Sequence, residues 1–320
     1  MRKYYYLVLA SLLALPMTFT SCSDDDDEGG SAKPANSVIT TDDGDKVRLT
    51  KLGNYYTFDF DYDEEGRPVK IGEYDIDYDK GIIYSYEYKD DEQASFKLNG
   101  SGFVSYVNME WEDYDDSSLV EKGNGTINLS YDGSGRLNKI TANGSYNGTE
   151  DGEKYYESES STATFTYNNG KLTKIVWDAT TDEDGEKTKY KEIYTIEYED
   201  AQENSLAQCT YSIGDIIGEY DVFLQYLYYV GMLGKPTSYL PTKISYEWYE
   251  DGEMEGHNSK AVSYSFNSDG TLKSETYQGT VYYTYSNVLS EAKAFVSKSP
   301  IAVPEKASRR HGFFRSRLNH

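Results

Sequence analysis

The chain has 320 residues and carries 55 Asp and Glu against 31 Lys and Arg, a formal net charge of −24 at pH 7. Nucleic-acid binding through phosphates needs a basic footprint, so that class of function is excluded. Tyrosine is extreme at 34 residues, and Tyr with Thr suits a pleated, half-buried surface.

In chain order, residues 1–21 read as a signal peptide. Arg2 and Lys3 form a basic start, and Tyr4 to Pro16 an apolar run too short to span a bilayer. Phe19-Thr20-Ser21-Cys22 resembles a lipobox, in which cleavage leaves Cys22 at the new N terminus for acylation. Acyl chains on Cys22 make the membrane a partner without spanning it. Residues 22–45 read as an acidic, disordered linker, because the like charges of Asp24 to Glu28 repel one another. The run from Ser23 to Gly30 resembles the acidic export signal of Bacteroidetes lipoproteins. That resemblance implies an outer-membrane location facing the cell exterior.

Residues 46–288 carry an internal repeat. Leu129-Ser130-Tyr131-Asp132-Gly133-Ser134-Gly135-Arg136-Leu137-Asn138-Lys139-Ile140 has near-copies at Phe60 to Ile71, Phe165 to Ile175 and Tyr264 to Lys273. Each copy ends a strand on alternating apolar residues, such as Ile127, Leu129 and Tyr131, with Ser, Thr, Asn or Asp between them. Asp or Asn then opens a turn, and a glycine tolerates positive φ. The repeat glycines Gly66, Gly102, Gly135, Gly170 and Gly270 are spaced by 36, 33, 35 and 100 residues, so the period is near 35. The fold expected is a mostly β antiparallel meander of about 12–14 strands, curled or closed into a barrel-like shape.

The returns at the other end of each hairpin read as long acidic loops: Glu112 to Gly125, Gly148 to Glu157, Asp178 to Lys189 and Glu250 to Asn258. A tight-turn end therefore opposes an acidic rim. All three tryptophans, Trp111, Trp177 and Trp248, enter that rim. With Tyr249 they are the candidate ligand-binding residues, since aromatic faces beside carboxylates suit a sugar. The alternative reading is that they finish the core.

Apolar residues at 216, 220, 223, 224, 227 and 230 have helical spacing. They predict one buried helix near 216–232, capped by Asp215 or Asp221 and stopped by Gly231, Gly234 and Pro236. A barrel wider than about eight strands cannot fill itself with side chains, so this helix is expected as a plug against the concave face. Residues 289–320 read as a basic, disordered tail.

Little points to catalysis. The histidines are His257, His311 and His320, too few for a nucleophilic triad. No Cys/His cluster has zinc spacing, no phosphate-cradling motif occurs, and no cofactor is expected. Asp182-Glu183-Asp184-Gly185-Glu186 begins like a calcium loop but lacks the later bidentate Glu. Cys209 reads as a buried inert thiol.

The lipobox with its acidic run, the Tyr-Asp-x-x-Gly-Arg-Leu-x-Lys-Ile hairpins and Gly231-Met232-Leu233-Gly234-Lys235-Pro236-Thr237-Ser238-Tyr239-Leu240-Pro241-Thr242-Lys243-Ile244 together resemble an uncharacterised family of Bacteroidetes surface lipoproteins with a porin-like fold. The hairpins also resemble, more distantly, the YD repeats of Rhs-type shells. A transmembrane porin needs an aliphatic lipid-facing band, and these strands offer Tyr, Ser and Thr, so the likeness concerns shape. Three functions remain open: a surface module binding glycan or another nutrient, a structural or protein-interaction lipoprotein of the envelope, and a polysaccharide-acting enzyme.

Overall fold

The computed structural model describes residues 38–288 apart from 55–56, 73, 86–91, 116–117, 151–152 and 220. Cys22 and the segments read as a signal peptide and a basic tail lie outside the described residues. The chain runs through β1 (Ile39–Thr40), β2 (Lys46–Gly53), β3 (Thr57–Tyr62), β4 (Pro68–Ile71), β5 (Tyr74–Asp77), β6 (Ile82–Ser85) and β7 (Glu92–Leu98). Long strands follow: β8 (Val104–Asp115), β9 (Ser118–Tyr131), β10 (Leu137–Glu150), β11 (Glu153–Asn168), β12 (Lys171–Glu183) and β13 (Glu186–Glu197). After α1 (Tyr211–Gly218) and α2 (Val222–Tyr229) come β14 (Lys243–Glu250), β15 (Glu253–Ala261), β16 (Ser263–Phe266), β17 (Leu272–Thr276) and β18 (Thr280–Asn287).

The described residues form one antiparallel sheet of eighteen strands. From β2 to β18 the strands follow in chain order, and β18 pairs back onto β2. The sheet is nearly closed into a barrel. Its seam is staggered: β15 and β16 are two pieces of one strand broken at Val262, the upper piece pairing with β14 and the lower with β17. The mostly β meander is as expected, with more strands than the 12–14 read from sequence, because the short β5 and β6 carry no copy of the repeat. Residues 38–45, assigned to the linker on sequence, belong to the fold: Ile39 pairs with Val47, and Thr41 to Asp45 makes a turn.

Three repeats build the same joint. Asp63, Asn99 and Asp132 accept, through Oδ1, the amide four residues on at 2.8, 3.1 and 2.9 Å. Gly66, Gly102, Gly135 and Gly270 sit at φ 80 to 82°, a region that L side chains adopt only with strain. One residue after the turn, the register skips Val69, Ser105, Asn138, Thr173 or Lys273. This bulge turns residues three apart to the same face, so Leu137 and Ile140, or Leu172 and Ile175, are both buried. The Leu-x-x-Ile spacing of the repeat is the sequence mark of that bulge.

The returns expected as ragged loops are strands. β10 to β13 continue for 12 to 16 residues each and meet in tight hairpins. Asp184-Gly185 and Asp251-Gly252 have φ 49/96° and 47/89°, the two-residue turn that Asp-Gly favours. The wall from β8 to β15 therefore stands tall, while β2–β7 and β16–β18 form a low wall of strands 4 to 8 residues long.

One expected helix is two. Asp221 breaks the run: its Oδ1 accepts from the Phe223 and Leu224 amides at 2.8 and 3.1 Å and caps α2. The helices fill the barrel against the low wall. Phe223 packs edge-on to Tyr74 at 5.7 Å and Tyr226 to Phe58 at 5.1 Å, and Leu224, Leu227 and Val230 are fully buried. α1 lacks a side-chain cap of its own. Glu275 supplies one from the wall, its oxygens accepting from the Tyr211 and Ser212 amides at 2.6 and 2.9 Å and from Tyr283 Oη at 2.6 Å. Glu275 occupies the position where other repeats have Ile71, Val107, Ile140 or Ile175, and it is fully buried.

Residues 231–240 close the tight-turn end as a strap that meets one turn every three residues. The Met232 carbonyl accepts from the Val104 amide, Lys235 N–H donates to Gly135 O, and Ser238 N–H donates to Gly170 O, at 2.8 to 2.9 Å. A recess under the strap, lined in part by Leu137, Phe165 and Lys235, has room for about one water.

Candidate functional site

Alternation along the tall wall sends one face inward. On β12, Ile175, Trp177 and Ala179 are buried, and on β13 so are Tyr194 and Ile196. Cross-strand register then sets a single row: Ala163 opposite Trp177, Trp177 opposite Glu192, Glu192 opposite Trp248, and Trp248 opposite Gly256. Two tryptophans thus flank one carboxylate on the inner face. Sequence reasoning missed Glu192, because only the register of β12, β13 and β14 reveals it.

The two tryptophans differ in environment. Trp177 is 3% exposed and belongs to the core, so it is not an open sugar platform. Trp248 is half-buried. A Cβ on Gly256 would stand 2.4 Å from Trp248 Nε1, so the indole is seated on the bare backbone of that glycine. Glu192 Oε2 accepts from Tyr194 Oη at 3.1 Å, and Tyr194 packs against Tyr246 at 4.9 Å. One row higher, Ala179, Tyr190 and Glu250 lie side by side. Burial, together with the charges of Glu250 and Glu157, raises the Tyr190 phenol above its ordinary pKa.

Tyr249 points to the other face, where its hydroxyl donates to Glu247 Oε2 at 2.8 Å. That bond, more than burial, raises its pKa. Trp111 is opposite Gly123 on β9, four strands away from Trp177 around the wall, and its side chain lies outside the described residues. The structure therefore groups Trp177 and Trp248 and leaves Tyr249 on the outside.

Toward the low wall, a polar chain stitches the seam. Lys260 Nζ donates to Gln278 Oε1 at 2.9 Å, and Gln278 Nε2 donates to Asp215 Oδ2 of α1 at 3.1 Å. Burial raises the Asp215 carboxyl and pushes Tyr277 beside it up to about 12.

The other motifs resolve simply. Asp182 Oδ1 accepts from the Gly185 amide at 2.9 Å, as in a hairpin turn. Among the described residues no group of three or more His, Cys, Asp or Glu is placed to hold a metal. Burial pushes the Cys209 thiol up to about 12.

No protein-family model matches the chain, and no curated protein does. Solved structures do. A porin-like protein from Bacteroides vulgatus is similar at 13% identity and a TM-score of 0.48, over 74% of this chain and 98% of that one. A porin-like protein from Bacteroides uniformis is similar at 16% identity and a TM-score of 0.46, over 80% and 99%.

Proposed function

We propose that this protein is a non-catalytic envelope lipoprotein that binds a glycan or similar hydroxyl-rich nutrient at the inner face of the tall wall. The observation that carries the reading is the row Trp177–Glu192–Trp248, an aromatic and a carboxylate side by side above a plugged floor. Trp248 is the stacking surface, Glu192 the hydrogen-bond acceptor, and Trp177 fixes their backing.

The orientation supports an anchored role. The Thr41–Asp45 turn bonds the Asn267–Thr271 turn through Asp42 N–H to Asp269 O, and Asn287 pairs with Val47. Both chain ends thus leave the fold at the tight-turn end. From Cys22 to Val38 the chain can reach at most roughly 55 Å. A tether from an acylated Cys22 would enter the fold at the sealed end.

A glycan array tests the binding, with Trp248→Ala and Glu192→Gln as controls. Binding that these variants abolish supports the reading, and no binding to any glycan sinks it. Palmitate labelling lost in Cys22→Ala tests the anchor. One observation favours the second reading, an interaction protein: among the described residues β15 has a strand partner on one edge only, and free edges recruit strands.

A further inference from the structure

The outer face of the tall wall is divided. On β12 to β14 it carries charges in pairs: Lys191 with Asp178 at 3.3 Å, Lys187 with Asp182 at 3.5 Å and Lys243 with Glu197 at 2.7 Å. On β9 to β11 its charges stand at the margins, Lys122 on β9 and Lys139 on β10. The outward positions of β9 include Asn124, Thr126 and Asn128, those of β10 include Asn143, Ser145 and Asn147, and every outward position of β11 from Ser158 to Thr166 is Ser or Thr. With Ser130 and Thr141 that makes thirteen uncharged positions on three adjacent strands, in a chain with 27% charged residues.

The lattice is in register. Asn124 faces Ser145, which faces Ser158, and Thr126 faces Asn143, which faces Ser160. Neighbouring groups are spaced about 4.8 Å across strands and about 6.8 Å along them. Among the described residues, the six Asn, Thr and Ser side chains named on β9 and β10 have no hydrogen-bond partner. Lys122 and Lys139 bound the patch above and below, and Glu110 and Asp178 at its sides.

We propose that this face is a docking surface for an uncharged polysaccharide chain lying across β9, β10 and β11. The chemistry selects that occupant. The patch offers donors and acceptors but no charge, so it gives an ionic polymer nothing to pair with, and the net charge of −24 repels an anionic one. Its aromatics stand only at the rim, Tyr156 opposite Asn147 and Tyr106 opposite Asn128, so its centre lacks the buried aromatic or aliphatic anchor of a protein hot spot. The exposed Met254 and Tyr282 lie on other strands, and Tyr156 lies at the upper end of β11. A neutral glycan presents regularly spaced hydroxyls that both donate and accept. The proposal shares its ligand class with the inner-face reading but none of its residues.

Affinity electrophoresis of the full-length protein through gels holding β-glucan, xylan, mannan or starch tests it, with polygalacturonate as the anionic probe. The expected result is retardation by at least one neutral polymer, none by polygalacturonate, and at least a tenfold loss of affinity in Asn143→Lys/Ser160→Glu and in Ser145→Asp. Lys187→Gln, on the charged half of the outer face, should leave that retardation unchanged, and Trp248→Ala reports on the inner face alone. Two variants at different points guard against misfolding, as do unchanged melting curves. No retardation of the wild type, or equal retardation of the variants, would overturn the proposal. Loss only in Trp248→Ala would overturn it and leave the inner-face reading standing. A wild-type dimer that the same variants dissociate would overturn it in favour of contact between copies.

Discussion

The two ends of the barrel are made by different rules. At the tight-turn end each joint is a short turn with a positive-φ glycine followed by a bulge, and the strap bonds three of those joints in succession. The plug fills the space above, so the inward side chains there are buried against it. At the tall end the hairpins simply continue outward, their inner face turning from Ile and Leu to Trp, Tyr, Glu and Gly. The lower half is where the fold is stabilised, and the upper half is where the surface is free to vary. Binding belongs on the half whose side chains the fold does not need.

The largest effect should come from the plug. Phe223→Asp or Leu227→Asp would bury a carboxylate where the native side chains are at most 1% exposed. The expected cost is more than about 4 kcal/mol, most of what a domain has to lose. Expression without soluble, cooperatively unfolding protein is the outcome to look for; a wild-type melt would show that the plug is dispensable.

The row Trp177–Glu192–Trp248 sharpens the comparison within one line of residues. Trp177→Ala should cost about 3–5 kcal/mol in urea unfolding, as for a buried aromatic. Trp248→Ala, half-buried, should cost about 1 kcal/mol. Equal costs would mean that both tryptophans are structural, and would weaken the inner face as a binding site.

Glu275 comes between them. Glu275→Leu restores the aliphatic pattern of the repeat but strands the Tyr211 and Ser212 amides and the Tyr283 hydroxyl, at a cost of about 2–4 kcal/mol. Burial raises the pKa of Glu275 above its ordinary value of 4.5. For a carboxyl shifted upward, the linked stability is full below the unfolded pKa and is lost as pH rises through the folded one. Glu275→Gln should therefore flatten the loss of stability on going from pH 4 to 7. Asp215, also raised by burial, leaves a slope of the same sign.

Much of this was legible in the sequence, and unevenly. The repeat, its period, the polarity of the two ends and the buried helical segment could all be read from spacing, because turns and bulges are local. The Asp-Gly pairs at 184 and 251 also announced tight hairpins, but the acidic residues around them suggested loops. The break at Asp221 was hidden by a continuous apolar pattern. Glu192 and Glu275 could not be found from spacing at all. One depends on the register of three strands, and the other on a helix end that arrives from sixty residues earlier.

The smallest effect concerns Cys209, and it separates the two halves without altering stability. The residue lies on the approach to α1, at the sealed end, with its thiol pushed up to about 12 by burial. Only the thiolate reacts with an alkylating agent. Against an ordinary thiol near 8.5, the reactive fraction at pH 8 is lower by about three orders of magnitude. Native protein should thus resist iodoacetamide at Cys209 over hours, while a cysteine introduced at Ser160, exposed on the tall wall, should be labelled within minutes. Comparable labelling of both would mean that the strap end opens on that timescale, and the contrast between a closed lower half and an accessible upper half would then fail.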